Sequence, residues 1–208
     1  MVAVRLRFRH HKVYAAAAVA FAVACVAISF DRGVSDSLHE AMRPNDLALQ
    51  AITFLGDGRF LVPACLLFAL GCFVFKKSKT PLPLLALVAM LLSGAITQLL
   101  KMTIGRPRPY ALGDSRYVNM TSDALQWFSL NKDFASFPSG HTTAVFSLAW
   151  FAITQLRGRR SRVAIFLLAT LVALTRVALA KHYLADTIAG AAVGIMVAQA
   201  LADALIFI

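Results

Sequence analysis

The chain has 208 residues, of which 59% are hydrophobic and 15% charged, and its mean hydropathy is +0.71. The apolar residues lie in long blocks, and this composition excludes an ordinary soluble domain of the same length. The formal net charge of +11 would favour nucleic acid as a partner of a soluble protein, but here the basic residues follow the apolar blocks, so we predict no nucleic-acid binding. We predict an all-α, polytopic membrane protein in which residues 1–208 form a single domain.

Six apolar segments have the composition of transmembrane helices: 13–30, 60–75, 81–100, 141–156, 163–180 and 184–207. Residues 81–100 contain no charge and have about the length that crosses a hydrocarbon core of roughly 30 Å. The first segment follows a basic start, as a signal peptide would. Its apolar run is long for a signal peptide and no A-x-A-like cleavage site follows it, so we expect a retained helix.

Two longer connections are predicted on the side of the membrane opposite the N-terminus. The segment 31–59 mixes apolar and polar residues and is divided by Pro44, which predicts short interfacial helices, the second capped by Asn45 or Asp46. An ordinary packed loop is the alternative for this segment. The segment 110–136 carries aromatic side chains that either anchor in the headgroup region or line the entry path of a lipid. These aromatic residues are Tyr110, Tyr117, Trp127 and Phe128.

Lysine and arginine are concentrated in three short segments on the N-terminal side of the predicted membrane layout. The N-terminus, residues 76–79 and residues 157–162 are basic and contain no Asp or Glu. Short connections rich in Lys and Arg remain in the cytoplasm. We therefore predict a cytoplasmic N-terminus, with the ends of spans one, three and five at the outer surface.

Ionisable residues interrupt the spans at that outer surface. An ionisable group within a span costs at least about 2.5 kcal/mol by insertion scales, so such groups face protein, water or a partner. Each residue alone has a structural alternative: a Lys or Arg that reaches the headgroups, a His at a helix start, or an Asp that caps a helix. Their convergence at one depth predicts a cationic site open to the outside. Its members are Lys101, Arg108, His141, Arg176, His182 and Asp186.

The cations and the stretch PSGH (138–141) indicate a site for phosphate. Lys101, Arg108 and Arg176 provide the charge for a doubly negative anion. PSGH begins a predicted helix, whose first N–H groups and dipole favour an anion. Gly140 allows close approach of the backbone, and the Ser139 hydroxyl is a further donor.

The two histidines indicate phosphoryl transfer. His182 and Asp186 are four residues apart and share a helix face if the last span begins near residue 182, so the carboxylate can fix the tautomer of a nucleophilic imidazole. His141 then lies across the site as a general acid. No Asp/Glu cluster and no GxxxxGK[ST] motif is present. A metal site of two His and one Asp is an alternative that the surrounding cations oppose, so we predict neither a metal nor a cofactor.

Three motifs together resemble the type 2 phosphatidic acid phosphatase family: KMTIGRPRP (101–109), PSGH (138–141) and Thr175 to Asp186 as TR-x5-H-x3-D. The resemblance implies that His182 forms a phosphohistidine, that Asp186 orients it and that His141 is the general acid. The third motif usually opens with Ser where this chain has Thr175, and the pattern assigns no role to Arg106. The residues that the resemblance implies for holding the phosphoryl oxygens are Lys101, Arg108, Ser139, Gly140 and Arg176.

The short loops are similar to those of the bacterial members of that family, which implies a multi-pass protein of the bacterial inner membrane with an extracytoplasmic active site. The implied activity is hydrolysis of a phosphate monoester or pyrophosphate of a membrane lipid. Undecaprenyl pyrophosphate and phosphatidylglycerol phosphate are the first candidates, and lipid A 1-phosphate is the next. A lipid phosphotransferase with the same residues and a non-enzymatic lipid or anion transporter remain alternatives, although transport leaves both histidines unexplained. The sequence does not predict the oligomeric state.

Overall fold

The computed structural model describes residues 10–42, 46–74, 82–112, 128 and 130–204, and within these ranges all regular structure is helical. The prediction of an all-α protein is therefore confirmed. Several residues named above lie outside the described ranges. They are the basic residues that precede His10, those of 76–79, Pro44, Asn45, Tyr117 and Trp127.

The described residues form eight α-helices: α1 (His10–Ala27), α2 (Arg32–Met42), α3 (Asp46–Phe54), α4 (Gly58–Val74), α5 (Leu82–Ile104), α6 (Gly140–Gln155), α7 (Arg159–Ala178) and α8 (Leu184–Ala204). The described part of the connection between α5 and α6 includes 3-10 turns at Pro109–Leu112 and Lys132–Phe134. The predicted segments 13–30, 60–75, 81–100, 141–156, 163–180 and 184–207 correspond to α1, α4, α5, α6, α7 and α8, with shifts of a few residues at their ends.

Three segments are long and apolar enough to cross a membrane alone: Leu82–Ala111, Arg159–Ala178 and Leu184–Ala204. Two helix pairs reach that standard only together and are bent, at 92° between α1 and α2 and at 42° between α3 and α4. Among the described residues, length and composition therefore support three spans, or five if each bent pair is one span. Helix α6 has 16 residues and is not among them. A membrane protein is supported, and the number of six spans stays a prediction.

Within the segment 31–59 the described residues form two helices, α2 and α3, rather than an irregular loop, and their location at the membrane interface stays a prediction. Helix α2 is strongly amphipathic, turns by 92° from α1 and packs against α7 and α8, while α3 packs against α7. The Ser35 hydroxyl accepts a hydrogen bond from the Leu184 N–H at 3.1 Å. This bond ties α2 to the first residue of α8.

Helix α8 lies at the centre of the bundle and packs against α1, α5, α6 and α7. Its contact with α6 is close because two glycines face that helix. A Cβ on Gly190 would lie 2.6 Å from the Ser139 carbonyl oxygen, and one on Gly194 would lie 2.5 Å from the Thr143 carbonyl oxygen. Small residues of this kind allow the backbones of membrane helices to approach. The first turns of α6 and α8 are thereby held side by side.

Candidate active site

The predicted site residues lie together at one end of the bundle. Lys101 is in the last turn of α5 and Arg176 in the last turn of α7, whereas His141 and Asp186 are in the first turns of α6 and α8. His182 lies in the short connection from α7 to α8. The charges of Lys101 and Arg176 are within electrostatic range of both histidines. The structure thus gathers residues that are up to 85 positions apart in the chain (101 to 186).

The PSGH stretch forms the start of α6, as predicted. Ser139 is the N-cap residue and is fully buried. Its N–H donates to the Asp186 carbonyl oxygen at 2.9 Å, and its hydroxyl accepts a hydrogen bond from the Thr142 hydroxyl at 3.0 Å. The first-turn N–H groups of a helix have no acceptor within the helix, and the Lys101 Nζ lies 3.7 Å from where a Cβ on Gly140 would be. A lysine ammonium and a helix N-terminus therefore meet at Gly140.

Arg176 is buried at the end of α7, with 8% of its surface exposed. Its Nη1 donates to the Thr53 hydroxyl at 3.0 Å, and its Nε is buried without a hydrogen-bond partner among the described residues. The Thr175 hydroxyl, which replaces the usual serine hydroxyl, donates to the Val172 carbonyl oxygen of its own helix at 2.6 Å. The threonine therefore does not hydrogen-bond the Arg176 guanidinium. A buried guanidinium with a free donor suits an anionic ligand.

Arg108 follows α5 and is half-buried. Its N–H donates to the Asp133 carbonyl oxygen at 2.8 Å, and its Nε donates to the Lys132 carbonyl oxygen at 3.1 Å. These bonds fix the base of the side chain against the 3-10 turn that precedes α6. The charge of Arg108 lies within electrostatic range of Lys101, His141 and Arg176.

His182 is positioned by the backbone at the end of α7. The Arg176 carbonyl oxygen accepts hydrogen bonds from the N–H groups of Lys181 (3.1 Å) and His182 (3.2 Å), and Ala180 takes a left-handed conformation with φ of 50°. The His182 Nδ1 lies 2.9 Å from the Ser136 carbonyl oxygen and 3.5 Å from the Asp186 Oδ2. The nearest acceptor of the Nδ1–H is therefore a main-chain carbonyl, and the Asp186 carboxylate, predicted to be its partner, is the second neighbour.

Two consequences follow for the chemistry of His182. A hydrogen bond from Nδ1 to a carbonyl requires the proton on Nδ1, which leaves Nε2 with a free electron pair. Burial lowers the pKa of His182 far below its ordinary value, against the raising effect of Asp186, so the imidazole is neutral at pH 7. A neutral imidazole with a fixed tautomer has the properties of a nucleophile.

Asp186 is fully buried and accepts three hydrogen bonds besides its contact with His182. Its Oδ1 accepts from the Arg106 Nη1 at 2.5 Å, and its Oδ2 accepts from the Ser136 hydroxyl at 2.5 Å and from the Tyr183 N–H at 2.9 Å. The bond to the Tyr183 N–H caps α8, so Asp186 also has the helix-capping role that was the structural alternative for it. Asp186 therefore both caps the start of α8 and faces the imidazole.

The turn between α3 and α4 forms another wall of the site. The Asp57 Oδ2 lies 3.8 Å from the His141 Nε2 and 2.7 Å from the Arg59 Nη2. The hydrogen bond from Arg59 lowers the pKa of Asp57 to about 2. A Cβ on Gly56 would lie 2.6 Å from the Val172 Cγ1 and 3.6 Å from the His141 Cβ, so the turn approaches α6 and α7 closely. Asp57 is thus a carboxylate placed beside the predicted general acid.

Asp31, Asp57 and Ser136 are among the contributors to the site that were not anticipated. The two carboxylates carry a signal that could have been used, because each follows an apolar segment in a chain with only ten acidic residues. An acid near a cationic cluster is a candidate partner of that cluster. Ser136 gives no comparable signal, because its principal contact uses the main-chain oxygen. Within the described part of the chain, no three His, Cys, Asp or Glu side chains converge as metal ligands would.

Residues 82–205 match the family model of the PAP2 superfamily. Two curated relatives, each named Lipid A 1-phosphatase, are 34% identical in Rhizobium etli and 36% identical in Rhizobium johnstonii, in both cases over 157 residues. These alignments cover 70% of this chain and 65% and 62% of the respective relatives. The match therefore spans slightly less than two thirds of the length of either relative.

Two solved structures have the same fold. The transmembrane PAP2 type phosphatidylglycerolphosphate phosphatase from Bacillus subtilis superimposes with a TM-score of 0.72 at 21% identity, over 94% of this chain and 95% of that chain. Aquifex aeolicus LpxE superimposes with a TM-score of 0.64 at 22% identity, over 82% of this chain and 93% of that chain. Since the family model matches more than half of the residues and includes all the motifs of the site, the chain belongs to the PAP2 superfamily.

Proposed function

We propose that this protein is a membrane lipid phosphatase that hydrolyses a phosphate monoester or pyrophosphate through a phosphohistidine. The observation that carries the proposal is that two histidines on different elements share the same cations, Lys101 and Arg176. One histidine is a buried neutral imidazole, and the other is half-buried beside a carboxylate. A nucleophile, a proton donor and a cationic clamp complete the set that phosphoryl transfer requires.

In the first step, the Nε2 of His182 attacks the phosphorus atom while the bond to the leaving oxygen of the lipid breaks. His141, in its protonated form, gives its proton to that oxygen. Lys101, Arg108 and Arg176 neutralise the non-bridging oxygens, together with the N–H groups at Gly140 and the start of α6. Ser139 supports these phosphate-binding groups from the protein interior. Its buried hydroxyl accepts a hydrogen bond within α6, and its N–H holds the start of α6 against the Asp186 carbonyl oxygen.

In the second step, water attacks the phosphohistidine. The now neutral His141 accepts a proton from the water, the bond from phosphorus to Nε2 breaks and inorganic phosphate is released. His182 returns to its neutral form with the proton on Nδ1, and Asp186 again faces that proton at 3.5 Å. Because the three basic side chains carry the charge neutralisation, this sequence of steps invokes no metal or cofactor.

For the substrate we propose lipid A 1-phosphate first and phosphatidylglycerol phosphate second, with undecaprenyl pyrophosphate after them. The two relatives named Lipid A 1-phosphatase are aligned over 70% of this chain at 34% and 36% identity. The phosphatidylglycerolphosphate phosphatase is 21% identical, a level at which the likeness supports the fold alone. The order of candidates that the sequence suggested is revised on this ground.

We further propose that the chain is a single domain in the bacterial inner membrane, with six spans, a cytoplasmic N-terminus and an extracytoplasmic site. Six spans require that α6 crosses although it has only 16 residues. A helix of that length covers about 24 Å at 1.5 Å per residue, less than the hydrocarbon core. Its N-terminus then lies below the outer headgroups, where a lipid phosphate drawn slightly inward would meet it.

The test is phosphate release by the detergent-purified protein in the presence of EDTA. The panel contains lipid A, phosphatidylglycerol phosphate, undecaprenyl pyrophosphate and phosphatidic acid. We expect release from lipid A, and we expect His182→Ala to lower it by about a thousandfold or more, since removal of a nucleophile leaves only binding and electrostatic effects. His11→Ala, at an exposed histidine of α1, is the matched control and should leave the rate unchanged.

Release from a different lipid of the panel would keep the phosphatase and change its substrate. Full activity of His182→Ala would refute the phosphohistidine. If every lipid were inert with a folded protein, transfer of labelled phosphate to an added lipid acceptor would separate a phosphotransferase from a transporter.

A further inference from the structure

Arg106 differs from the other cations of the site because it has no surface open to a ligand. Its side chain is 0% exposed, whereas the three cations assigned to the phosphate are all more accessible. Its Nη1 donates to Asp186, and its Nη2 donates to the Asp31 Oδ1 at 2.5 Å and to the Ile28 carbonyl oxygen at 2.9 Å. The guanidinium also stacks on the Tyr183 ring, with its carbon 4.0 Å from the ring centre. The Arg106 Nε, like that of Arg176, has no hydrogen-bond partner among the described residues, but with 0% of the side chain exposed no phosphate reaches it, so Arg106 is not a phosphate ligand.

Asp31 connects this guanidinium to the start of α8. It follows α1, is 6% exposed, and its Oδ2 accepts a hydrogen bond from the Ala185 N–H at 2.7 Å in addition to its contact with Arg106 at 3.4 Å. The carboxylates of Asp31 and Asp186 thus share one guanidinium. A continuous chain of polar contacts runs from Asp31 through Arg106 and Asp186 to the imidazole of His182.

The charges in this chain have a consequence for the reaction. A buried carboxylate requires a cationic partner, and Arg106 alone would neutralise Asp186 and cancel its effect on the imidazole. Because Asp31 also shares Arg106, the cluster of two carboxylates and one guanidinium has a net charge of −1 beside His182. When the neutral imidazole attacks phosphorus, the ring gains positive charge, and a fixed negative charge next to it stabilises that state.

The same contacts fix the direction of the carboxylate. One oxygen of Asp186 is held by Arg106, and the other is held by the Ser136 hydroxyl and the Tyr183 N–H. Rotation of the carboxylate would break all three bonds. The negative charge consequently stays 3.5 Å from the Nδ1 of His182, on the side opposite the attacking nitrogen.

We propose that Arg106 and Asp31 are positioning residues of the nucleophile: they anchor Asp186, and together with it they form a cluster whose net negative charge supports phosphorylation of His182. This inference rests on the proposed function, because it assigns the two residues to the phosphohistidine step. It separates the basic residues of the site into two groups. Lys101, Arg108 and Arg176 act on the substrate, whereas Arg106 acts on the nucleophile.

The experiment compares Asp31→Asn with Asp36→Asn in the purified full chain, on the lipid that wild type hydrolyses. Asp36 is an exposed aspartate of α2 whose contact is the surface pair with Arg32 at 3.5 Å, so it controls for loss of one carboxylate charge nearby. The measurements are kcat, KM, the initial rate of phosphoenzyme formation, the inhibition constant of inorganic phosphate and Tm. Inactivity of wild type on every lipid would bear on the proposed function and not on this inference.

For Asp31→Asn we expect kcat and the phosphorylation rate to fall about ten- to a hundredfold, the range for loss of a residue that orients a catalytic group. KM and the inhibition constant of phosphate should stay within about twofold, because the phosphate ligands are untouched. Asp36→Asn should match wild type in every measurement.

Arg106→Lys is the second variant, in case Asp31→Asn does not fold. It keeps the positive charge but loses the fork that bridges two carboxylates, and we expect the same fall in kcat with unchanged phosphate inhibition. A rise in KM and in the phosphate inhibition constant at unchanged kcat would overturn the proposal by making Arg106 a substrate ligand. A lowered Tm with wild-type kcat per folded molecule would overturn it by reducing the cluster to a structural role.

Discussion

His141 and Asp57 face each other where the turn between α3 and α4 approaches the first turn of α6, with 3.8 Å between Oδ2 and Nε2. The proposed general acid must carry a proton when the lipid leaves. A carboxylate at this distance stabilises that protonated form. Since Arg59 lowers the pKa of Asp57 to about 2, Asp57 is charged at every pH at which the activity would be measured.

We therefore predict that Asp57→Asn moves the alkaline limb of the kcat profile to lower pH, by about half a unit to one unit, because the imidazolium loses its stabilising partner. The profile is measured at saturating lipid from about pH 5 to about pH 9, which brackets the range in which histidine titrates. Asp36→Asn should leave the limb in place. An unmoved limb in Asp57→Asn would mean that the carboxylate does not act on His141.

Thr53 gives a second prediction at this scale, because its hydroxyl accepts the hydrogen bond from the Arg176 Nη1. Thr53→Val removes the acceptor and keeps the shape. We expect KM to rise about two- to tenfold with little change in kcat, which corresponds to the usual contribution of one hydrogen bond. Thr170→Val is the control, since that hydroxyl bonds the Phe166 carbonyl oxygen of its own helix, away from the site. An equal effect of both substitutions would contradict a role of Thr53 in holding Arg176.

At the scale of residues, the sequence identified the groups whose chemistry is unusual for their position. A charge within or at the end of an apolar segment is conspicuous, and Lys101, Arg176 and Asp186 are of that kind. The sequence could not indicate how Arg106 is used, because adjacent arginines in GRPRP look alike and only the fold turns one of them into the interior. It also could not identify the Ser136 carbonyl oxygen as the acceptor for His182, because every residue has such an oxygen.

At the scale of helices, the packing of α6 against α8 depends on the absence of a side chain at Gly194. We predict that Gly194→Ala lowers the free energy of unfolding by about 1–3 kcal/mol, because its Cβ would meet a backbone oxygen of α6 at 2.5 Å and neither backbone yields easily. Gly94→Ala in α5 is the matched control, since no atom lies within 4 Å of its added Cβ. Thermal unfolding in detergent checks both, and a Gly194→Ala protein as stable as the control would contradict close packing here.

The helices themselves were predictable because their cores are long apolar runs bounded by Pro, Gly or clusters of charge. Helices α2 and α3 were only one of two alternatives, because α2 is short and polar on average and its amphipathic face is recognisable only once α7 and α8 lie against it. The tight turn at Ala180 was not predicted, since alanine does not favour positive φ; the two hydrogen bonds to the Arg176 carbonyl oxygen hold it there.

At the scale of the whole molecule, cysteine labelling tests whether α6 crosses the membrane. If α4, α5 and α6 all cross, residues in the first turn of α4 and after α6 lie on opposite sides. We predict that a membrane-impermeant maleimide labels Arg59→Cys in intact cells and labels Arg160→Cys only after permeabilisation. Both positions are exposed, and the background lacks Cys25, Cys65 and Cys72. Labelling of both from the outside would contradict three crossings, since it requires an even number of crossings among α4, α5 and α6.

Sequence patterning predicts the orientation of the whole molecule through the positions of its basic segments, but it cannot determine the number of crossings from length alone. If α6 crosses the membrane, the polar residues of the site replace apolar residues in its first turn and shorten its apolar part, whereas α7 remains long enough to cross alone. The polar first turn that makes α6 a poor transmembrane helix by composition would then also set the depth of the site in the bilayer.

The N–H of Ser139 and the carbonyl oxygen of Asp186 are joined by a hydrogen bond that belongs to the main chain on both sides. Substitution of a side chain leaves this bond in place, except where proline removes the N–H. Point mutation in the course of evolution can therefore alter which lipid is accepted while the spacing between the two halves of the site is inherited unchanged. Insertions and deletions near Ser139 or Asp186 would shift the start of α6 relative to the start of α8. We therefore expect them to be rare in descendants that keep the activity.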